Sequence, residues 1–444
     1  MQSAIAAVAG VPVEFYIFGL TLLGVALFHH RTLTVALGGL TATIAYKLVF
    51  SGFAHGPGFA GLLNHAQHEA VILTNLLLLL LGFSLLANQF ERSNLPEAMP
   101  RVLPDGWLGG LTLLGLIFVL SAFLDNIAAA IIGGVVARHV YHGKVSVGFL
   151  ASIVAAANAG GAGSVIGDTT TTMMWISGVS PLDVLHAFIA SVVAFGIFGV
   201  IGALQQHRYA PIQAHIAADA PKVQPSRAVI VGVILLTLLI VNFAGNAWYP
   251  EHQDAAPWLG LALWAVILLT AVIRAPDWKV LPAAAKGALF LVSLVATASL
   301  MPVESLPKAS WQTAMGLGFL SSVFDNIPLT ALALKQGGYD WGVLAFAVGF
   351  GGSMMWFGSS AGVALSGLFP QVRSVFSWLR HGWHVPIAYV AGFLVMLAVV
   401  GWHPTPTRAE RPAGAQAQAV PPKVIDDALH RIGETGRDLI GRIG

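Results

Sequence analysis

Leu124-Asp125-Asn126-Ile127 lies inside a long apolar stretch, and Phe324-Asp325-Asn326-Ile327 repeats it 200 residues later. Each copy precedes a second apolar stretch interrupted by glycines. The first reads Asn158-Ala-Gly-Gly-Ala-Gly-Ser164-Val-Ile-Gly167-Asp168-Thr169, and the second Gly351-Gly-Ser353-Met-Met-Trp-Phe-Gly358-Ser359-Ser360. Aligned on their glycines, Gly160 meets Gly351, Gly167 meets Gly358 and Asp168 meets Ser359. Broken apolar segments at corresponding places in two halves, with polar residues at the breaks, are the sequence pointer to a carrier's binding site.

The surrounding chain supports that reading. It is 56% hydrophobic and 9% charged over 444 residues, where soluble domains carry about 25% charged residues. Apolar runs long enough for a bilayer core of about 30 Å continue almost to residue 402. The expectation is a polytopic, all-α integral membrane protein. A net charge of +2 offers nothing to nucleic acid, and the absence of cysteine excludes disulfides and thiolate metal sites.

In order, the first half offers spans near 11–30, 32–50 and 68–88, blocks at 106–137 and 146–178, and a span near 183–205. The second half offers spans near 228–246, 258–274 and 286–301, blocks at 309–334 and 340–368, and a span at 385–402. The order is the same in both. The 32 residues from 106 to 137 would make a helix of about 48 Å, too long for one upright crossing. With Asp125-Asn126 at its middle, the block reads as a re-entrant helical hairpin. The block at 309–334 reads likewise, and Pro328 weakens a continuous helix there. The blocks at 146–178 and 340–368 read as two broken transmembrane helices.

Lys and Arg set the expected orientation. With both blocks as hairpins, the loops at 29–32, 89–105, 138–145, 206–227, 274–286 and 370–384 share one side and hold 13 of the 22 basic residues. The loops at 51–67, 177–182 and 247–257 hold none. The basic loops are then cytoplasmic and both termini periplasmic, in a bacterial inner membrane. The two hairpins enter from opposite sides, which makes the architecture an inverted repeat. Residues 1–205 form the first repeat, 206–227 a cytoplasmic linker, 228–402 the second repeat and 403–444 a polar tail. In that tail Ile425, Leu429, Ile432, Leu439 and Ile443 fall near helical spacing, which predicts a short amphipathic helix.

Asp125, Asp168 and Asp325 are the carboxylates set deep in the blocks. Each would cost about 2.5–3.5 kcal/mol at a bare helix centre. One reading is that they cap broken helix ends, where Asp suits an N-terminus. The other is cation binding, and the two are compatible. A dehydrated Na⁺ takes several oxygens, and unwound carbonyls with Asn, Ser and Thr side chains supply them. Asp125 with Asn126 and Asp325 with Asn326 put a carboxylate and a carboxamide at each tip. Asn158, Ser164, Gly167, Asp168 and Thr169 lie at one facing break, and Ser353, Gly358, Ser359 and Ser360 at the other. A carboxylate withdrawn from water takes up a proton more readily than one in solution. It then holds H⁺ or Na⁺ but not both, which is sufficient for exchange. Glu69, after a His-rich loop of His55, His65 and His68, reads as an interfacial residue opening a span.

The chain resembles the ion-transporter superfamily, and within it the NhaD-type Na⁺/H⁺ antiporters. The resemblance lies in Ser121-Ala-Phe-Leu-Asp-Asn126, Ala157-Asn-Ala-Gly-Gly-Ala162, Ile166-Gly-Asp-Thr-Thr-Thr-Thr-Met-Met-Trp-Ile176, Ser322-Val-Phe-Asp-Asn-Ile-Pro-Leu329, Gly351-Gly-Ser-Met354 and Gly358-Ser-Ser-Ala-Gly-Val-Ala-Leu365. It implies a scaffold with a moving transport part, a homodimer, elevator-like alternating access, and ion sites at the hairpin tips and helix breaks. The superfamily also includes dicarboxylate and citrate carriers and arsenite exporters. Those carboxylate carriers have Ser-Asn-Thr at the tips, where this chain has Asp-Asn-Ile.

That departure, and the lack of any deep Lys or Arg, favours a cation over an anion. The expectation is a secondary antiporter exchanging Na⁺ (or Li⁺) for H⁺. Asp125 and Asp325 bind either ion, Asn126 and Asn326 serve as neutral ligands, and Asp168 titrates as a third. The transported ions are cargo, and no cofactor is expected. The first alternative is a Na⁺-coupled di- or tricarboxylate carrier, or an arsenite-type exporter, on the same fold. The remote one is an intramembrane aspartyl enzyme. Against it, the chain has neither Gly-x-Gly-Asp at Asp168 nor His-Glu-x-x-His.

Overall fold

A computed structural model of the chain describes residues 7–8, 10–28, 31–54, 56–94, 103–212, 222–248 and 255–407. His55, part of the 206–227 linker and the amphipathic pattern at 425–443 lie outside the described residues. Apart from a two-residue strand pair, Ala7–Val8 with Val11–Pro12, the described chain is helical.

Helices α1 (Val13–Leu27) and α2 (Thr32–Tyr46, continued by a π-turn at Lys47–Ser51) pack side by side ahead of α3 (Gly58–Glu91). At 34 residues α3 is about 51 Å long, well beyond a 30 Å core. The expected span at 68–88 therefore starts too late. Glu69 lies in the twelfth position of this helix and does not open a span. The polar run Asn64 to Glu69 reads as a loop, but it is part of a continuous helix, with His65 buried and Asn64, Gln67 and His68 exposed.

Both long Asp-Asn blocks fold as two helices around a short turn. The first comprises α4 (Trp107–Ser121) and α5 (Asn126–Val140), the second α13 (Trp311–Ser321) and α14 (Asn326–Gln336). The Gly-rich blocks are interrupted where the glycines stand. α6 (Val147–Ala162) gives way to α7 (Thr169–Ile176), and α15 (Trp341–Gly351) to α16 (Ser360–Leu368). The pieces between the halves are α8 (Pro181–Leu185), α9 (Ala187–Tyr209), α10 (Pro225–Trp248), α11 (Trp258–Ala271) and α12 (Leu281–Ser299). The chain closes with α17 (Val375–His381) and α18 (His384–Val400), bent by 59° at Gly382-Trp383.

Among the described residues four helical stretches are long and apolar enough to cross a membrane, five if the bent α17–α18 pair counts as one. With the shorter apolar helices beside them, they make this a multi-pass integral membrane protein. α15 is buried on every side, as is α6 from Gly148 onward. A helix apolar all round belongs at the centre of a bundle.

The two halves repeat their contacts as well as their order. The Ser121 hydroxyl donates to Ala157 O at 2.5 Å, and the Ser321 hydroxyl to Val348 O at 2.7 Å. Gly160 lies directly against the backbone of Phe118, and Gly351 against that of Gly318, so neither position has room for a Cβ. Glycine is needed there because α6 and α15 cross their neighbours backbone to backbone.

Candidate functional site

Four helices begin around one cavity of about 390 Å³, and each starts directly after a residue of the two motifs. Asp125 stands before α5, Asp168 before α7, Asp325 before α14 and Ser359 before α16. A helix N-terminus carries unpaired N–H groups and about half a positive charge. Asp168 Oδ1 accepts from Thr170 N at 3.1 Å, Asp325 Oδ1 from Ile327 N at 3.3 Å and Ser359 Oγ from Gly362 N at 3.4 Å. The capping role weighed from the sequence for the aspartates is thus met by Asp168 and Asp325, and Ser359 caps its helix in the same way. Asp125 has the same backbone angles as Asp325 (φ −54°, ψ 142°), yet its side chain makes no capping hydrogen bond.

Asp125, Asn126, Asp168, Thr169, Asn326 and Ser360 all line the cavity. Asp325 stands just behind, its Oδ2 accepting from Ser360 Oγ at 3.0 Å. The amides are held from behind. Asn126 Nδ2 donates to Asn158 Oδ1 at 3.0 Å, and Asn158 Nδ2 donates to Ser353 Oγ at 2.9 Å, joining the halves. Asn326 Nδ2 donates to Asp168 Oδ2 at 3.4 Å, a second link across the halves. Committing each NH₂ to a neighbour leaves the side-chain oxygens of Asn126 and Asn326 as the acceptors these amides can offer. Among the described residues no three His, Asp or Glu side chains converge to grip a metal ion. Asp125, Asp168 and Asp325 border one space without closing on one point.

The remaining expected residues are structural partners of the breaks. The Ser164 hydroxyl donates to Ala122 O at 2.5 Å, tying the first break to the α4–α5 turn. Gly167 packs against Ser121 O and Gly358 against Ser322 O, where a Cβ would collide.

Sequence reasoning missed two features. One is Gly349, which stands where Asn158 stands in the first half. A Cβ there would come 3.3 Å from Asp168 Oδ2, so the glycine makes room for that carboxylate. Extending the glycine alignment two residues upstream of Gly351 would have found it. The other is the polar edge of α3. Ser84, Asn88 and Glu91 face the cavity at i, i+4 and i+7, one stripe along the C-terminal part of the helix.

The cavity wall is completed by apolar residues of α3, α5 and α12, among them Leu80, Ile131 and Leu291. Among the described residues it is lined by three acidic side chains, Glu91, Asp125 and Asp168, and by no Lys, Arg or His.

Interrupted helices meeting at an acidic cavity inside a multi-pass bundle define a secondary transporter. A family model described as citrate transporter matches residues 18–351, and the chain belongs to that family. Curated relatives include sodium/proton antiporter 1 of Arabidopsis thaliana, 30% identical over 326 residues that cover 64% of this chain and 54% of the relative. The Na(+)/H(+) antiporter NhaD of Vibrio cholerae is 26% identical over 343 residues, covering 66% of this chain and 68% of the relative. That of Alkalimonas amylolytica is 25% identical over 349 residues, covering 67% and 68%. The chain spans about half the length of the Arabidopsis protein. The motif-based resemblance to NhaD-type antiporters is borne out, and the chain is a transporter and not an enzyme.

Proposed function

We propose that the protein is a secondary antiporter that moves Na⁺ (or Li⁺) out of a bacterial cell across the inner membrane in exchange for H⁺. The observation that carries this reading is the charge of the cavity. Four helix N-termini would by themselves attract an anion. Carboxylates stand at three of them, and among the described residues no cationic side chain lines the wall. That arrangement turns an anion-receptive field into one that suits a small cation. The sodium/proton antiporters among the relatives support the same reading.

In this scheme Asp125 and Asp325 carry Na⁺ or H⁺ in turn, Asp168 is the third titrating ligand, and the Asn126 and Asn326 carbonyls complete the shell. Unwound carbonyls at the ends of α4, α6, α13 and α15 supply further oxygens. The α4–α5 and α13–α14 pairs act as re-entrant hairpins entering from opposite faces, the two halves of an inverted repeat. Repeated contacts such as Ser121 to Ala157 and Ser321 to Val348 support the duplication. The cavity follows the C-terminal end of α3 and the N-terminal end of α12, the ends that adjoin the basic residues Arg92, Arg274 and Lys279. Basic loops face the cytoplasm, so the cavity represents the inward-open state, loaded from inside. Assembly as a homodimer with elevator-like access belongs to the same proposal.

The test is proton movement in everted vesicles, read by a fluorescent dye as each salt is added. Na⁺ alone should release protons, and Asp125→Asn or Asp325→Asn should abolish that release while the protein still inserts. Because one proton competes with Na⁺ at a shared carboxylate, lowering the pH should raise the half-saturating Na⁺, by at most about tenfold per pH unit. Exchange at the wild-type rate in either variant would refute the assignment. The second reading, a Na⁺-coupled carboxylate carrier, follows from the citrate transporter family. Uptake of labelled citrate or succinate without salt-evoked proton release would favour it.

A further inference from the structure

The polar edge of α3 has no part in the exchange chemistry, yet it faces the same cavity. Ser84, Asn88 and Glu91 recur at i, i+4 and i+7, with Glu91 at the C-terminal end of the helix and Ser84 about two turns deeper. Ser84 donates its proton to Leu80 O at 2.9 Å, which leaves the hydroxyl oxygen as an acceptor. Asn88 Oδ1 is withdrawn from solvent and has no hydrogen-bond partner among the described residues. A buried amide oxygen without a donor costs about 1–3 kcal/mol. Such a cost at a cavity wall points to a ligand that supplies positive charge.

Two described cations near the C-terminal end of α3 are engaged elsewhere. Arg92 pairs with Asp277 at 3.5 Å. Arg227 donates to Gln89 Oε1 at 2.6 Å and to Gln224 Oε1 at 3.0 Å. Glu91 forms no ion pair among the described residues, so its charge at the mouth stands uncompensated. A carboxylate, an amide oxygen and a hydroxyl oxygen on one helix face are hard ligands for a small monovalent cation.

We infer that Glu91, Asn88 and Ser84 form an outer cation station on α3, where Na⁺ loses part of its water before reaching Asp125 and Asp168. Glu91 draws the ion in and Asn88 Oδ1 coordinates it. The inference rests on the cation reading of the cavity. It differs from that reading by placing a second bound ion on the α3 residues of the cavity wall, outside the two motifs.

Equilibrium binding of ²²Na⁺ to the purified full-length protein separates the two. Wild type should bind at two sites. Asn88→Leu should lose one and keep the other, and Asp125→Asn should lose the inner site while keeping the outer. In everted vesicles Asn88→Leu should raise the half-saturating Na⁺ about tenfold with the maximal rate preserved. Glu91→Gln should raise it about two- to fivefold, an effect that 0.5 M choline chloride suppresses. Asn88→Ser, which keeps an oxygen, serves as the control for folding and should retain most of the affinity. One-site binding in wild type would overturn the station, as would a loss of maximal rate at unchanged half-saturation in Asn88→Leu. Failure of wild type to release protons with Na⁺ would instead strike the exchange reading, leaving the binding result to judge the station.

Discussion

At the scale of single residues, the informative comparison is between positions that correspond in the two halves but differ chemically. Asn158 and Gly349 stand in equivalent places, as do Asp168 and Ser359. Asp168 reaches across to Asn326, and Gly349 leaves the room for it. Gly349→Ala should push the Asp168 carboxylate by a few tenths of an ångström and loosen the 3.4 Å bond from Asn326. The expected result is a several-fold rise in half-saturating Na⁺ with normal insertion, measured by salt-evoked proton release; unchanged saturation would show that the gap is idle. The aspartates at the breaks were legible in the sequence because a carboxylate in an apolar run is costly enough to demand a reason. Gly349 was legible only as the counterpart of Asn158 in the alignment of the two breaks; that it makes room for Asp168 shows only in its neighbours in space. Asn88 and Glu91 were hidden for another reason. They sit near the end of a span, where polar residues are ordinary.

At the scale of elements, what decides the site is where helices stop. Block length and the Asp-Asn and Gly-rich interruptions located all four breaks to within a few residues. The close crossings at Gly160 and Gly351 keep those breaks in place. Gly351→Val would drive a branched side chain into the Gly318 backbone. It should destabilise the α13–α15 pair by about 1–3 kcal/mol or more, since backbone cannot yield as a flexible side chain does. A drop in the detergent-solubilised melting temperature of several degrees checks this; an unchanged melt would mean that the crossing is looser than described. Elements outside the motifs were read less well. The early start of α3 at Gly58 was missed because His, Asn and Gln at 64–68 resemble loop composition, while tertiary contact and helix continuity override it. The 59° bend between α17 and α18 had only Gly382 to announce it.

At the scale of the whole molecule, the basic loops predict which side each segment faces, and the chain's lack of cysteine makes that prediction simple to test. A membrane-impermeant maleimide added to everted vesicles should label Lys144→Cys. It should leave Leu182→Cys unlabelled, although that position is 70% exposed on the protein surface. Labelling of both from the same side would mean that the 146–178 block does not cross the membrane, and the partition of basic loops would fail with it. A different consequence follows from the bonds that join those halves. Asn158 waits for Ser353, which lies 195 residues later in the chain. At about 5–20 residues per second, the ribosome takes roughly 10–40 s to deliver it. Throughout that interval the newly inserted first half holds an unsatisfied amide in the membrane interior, exposed to the cell's proteases. A chain halted before the second half therefore leaves the Asn158 amide nitrogen without its Ser353 acceptor, which ties closure of the polar centre to synthesis of the second half.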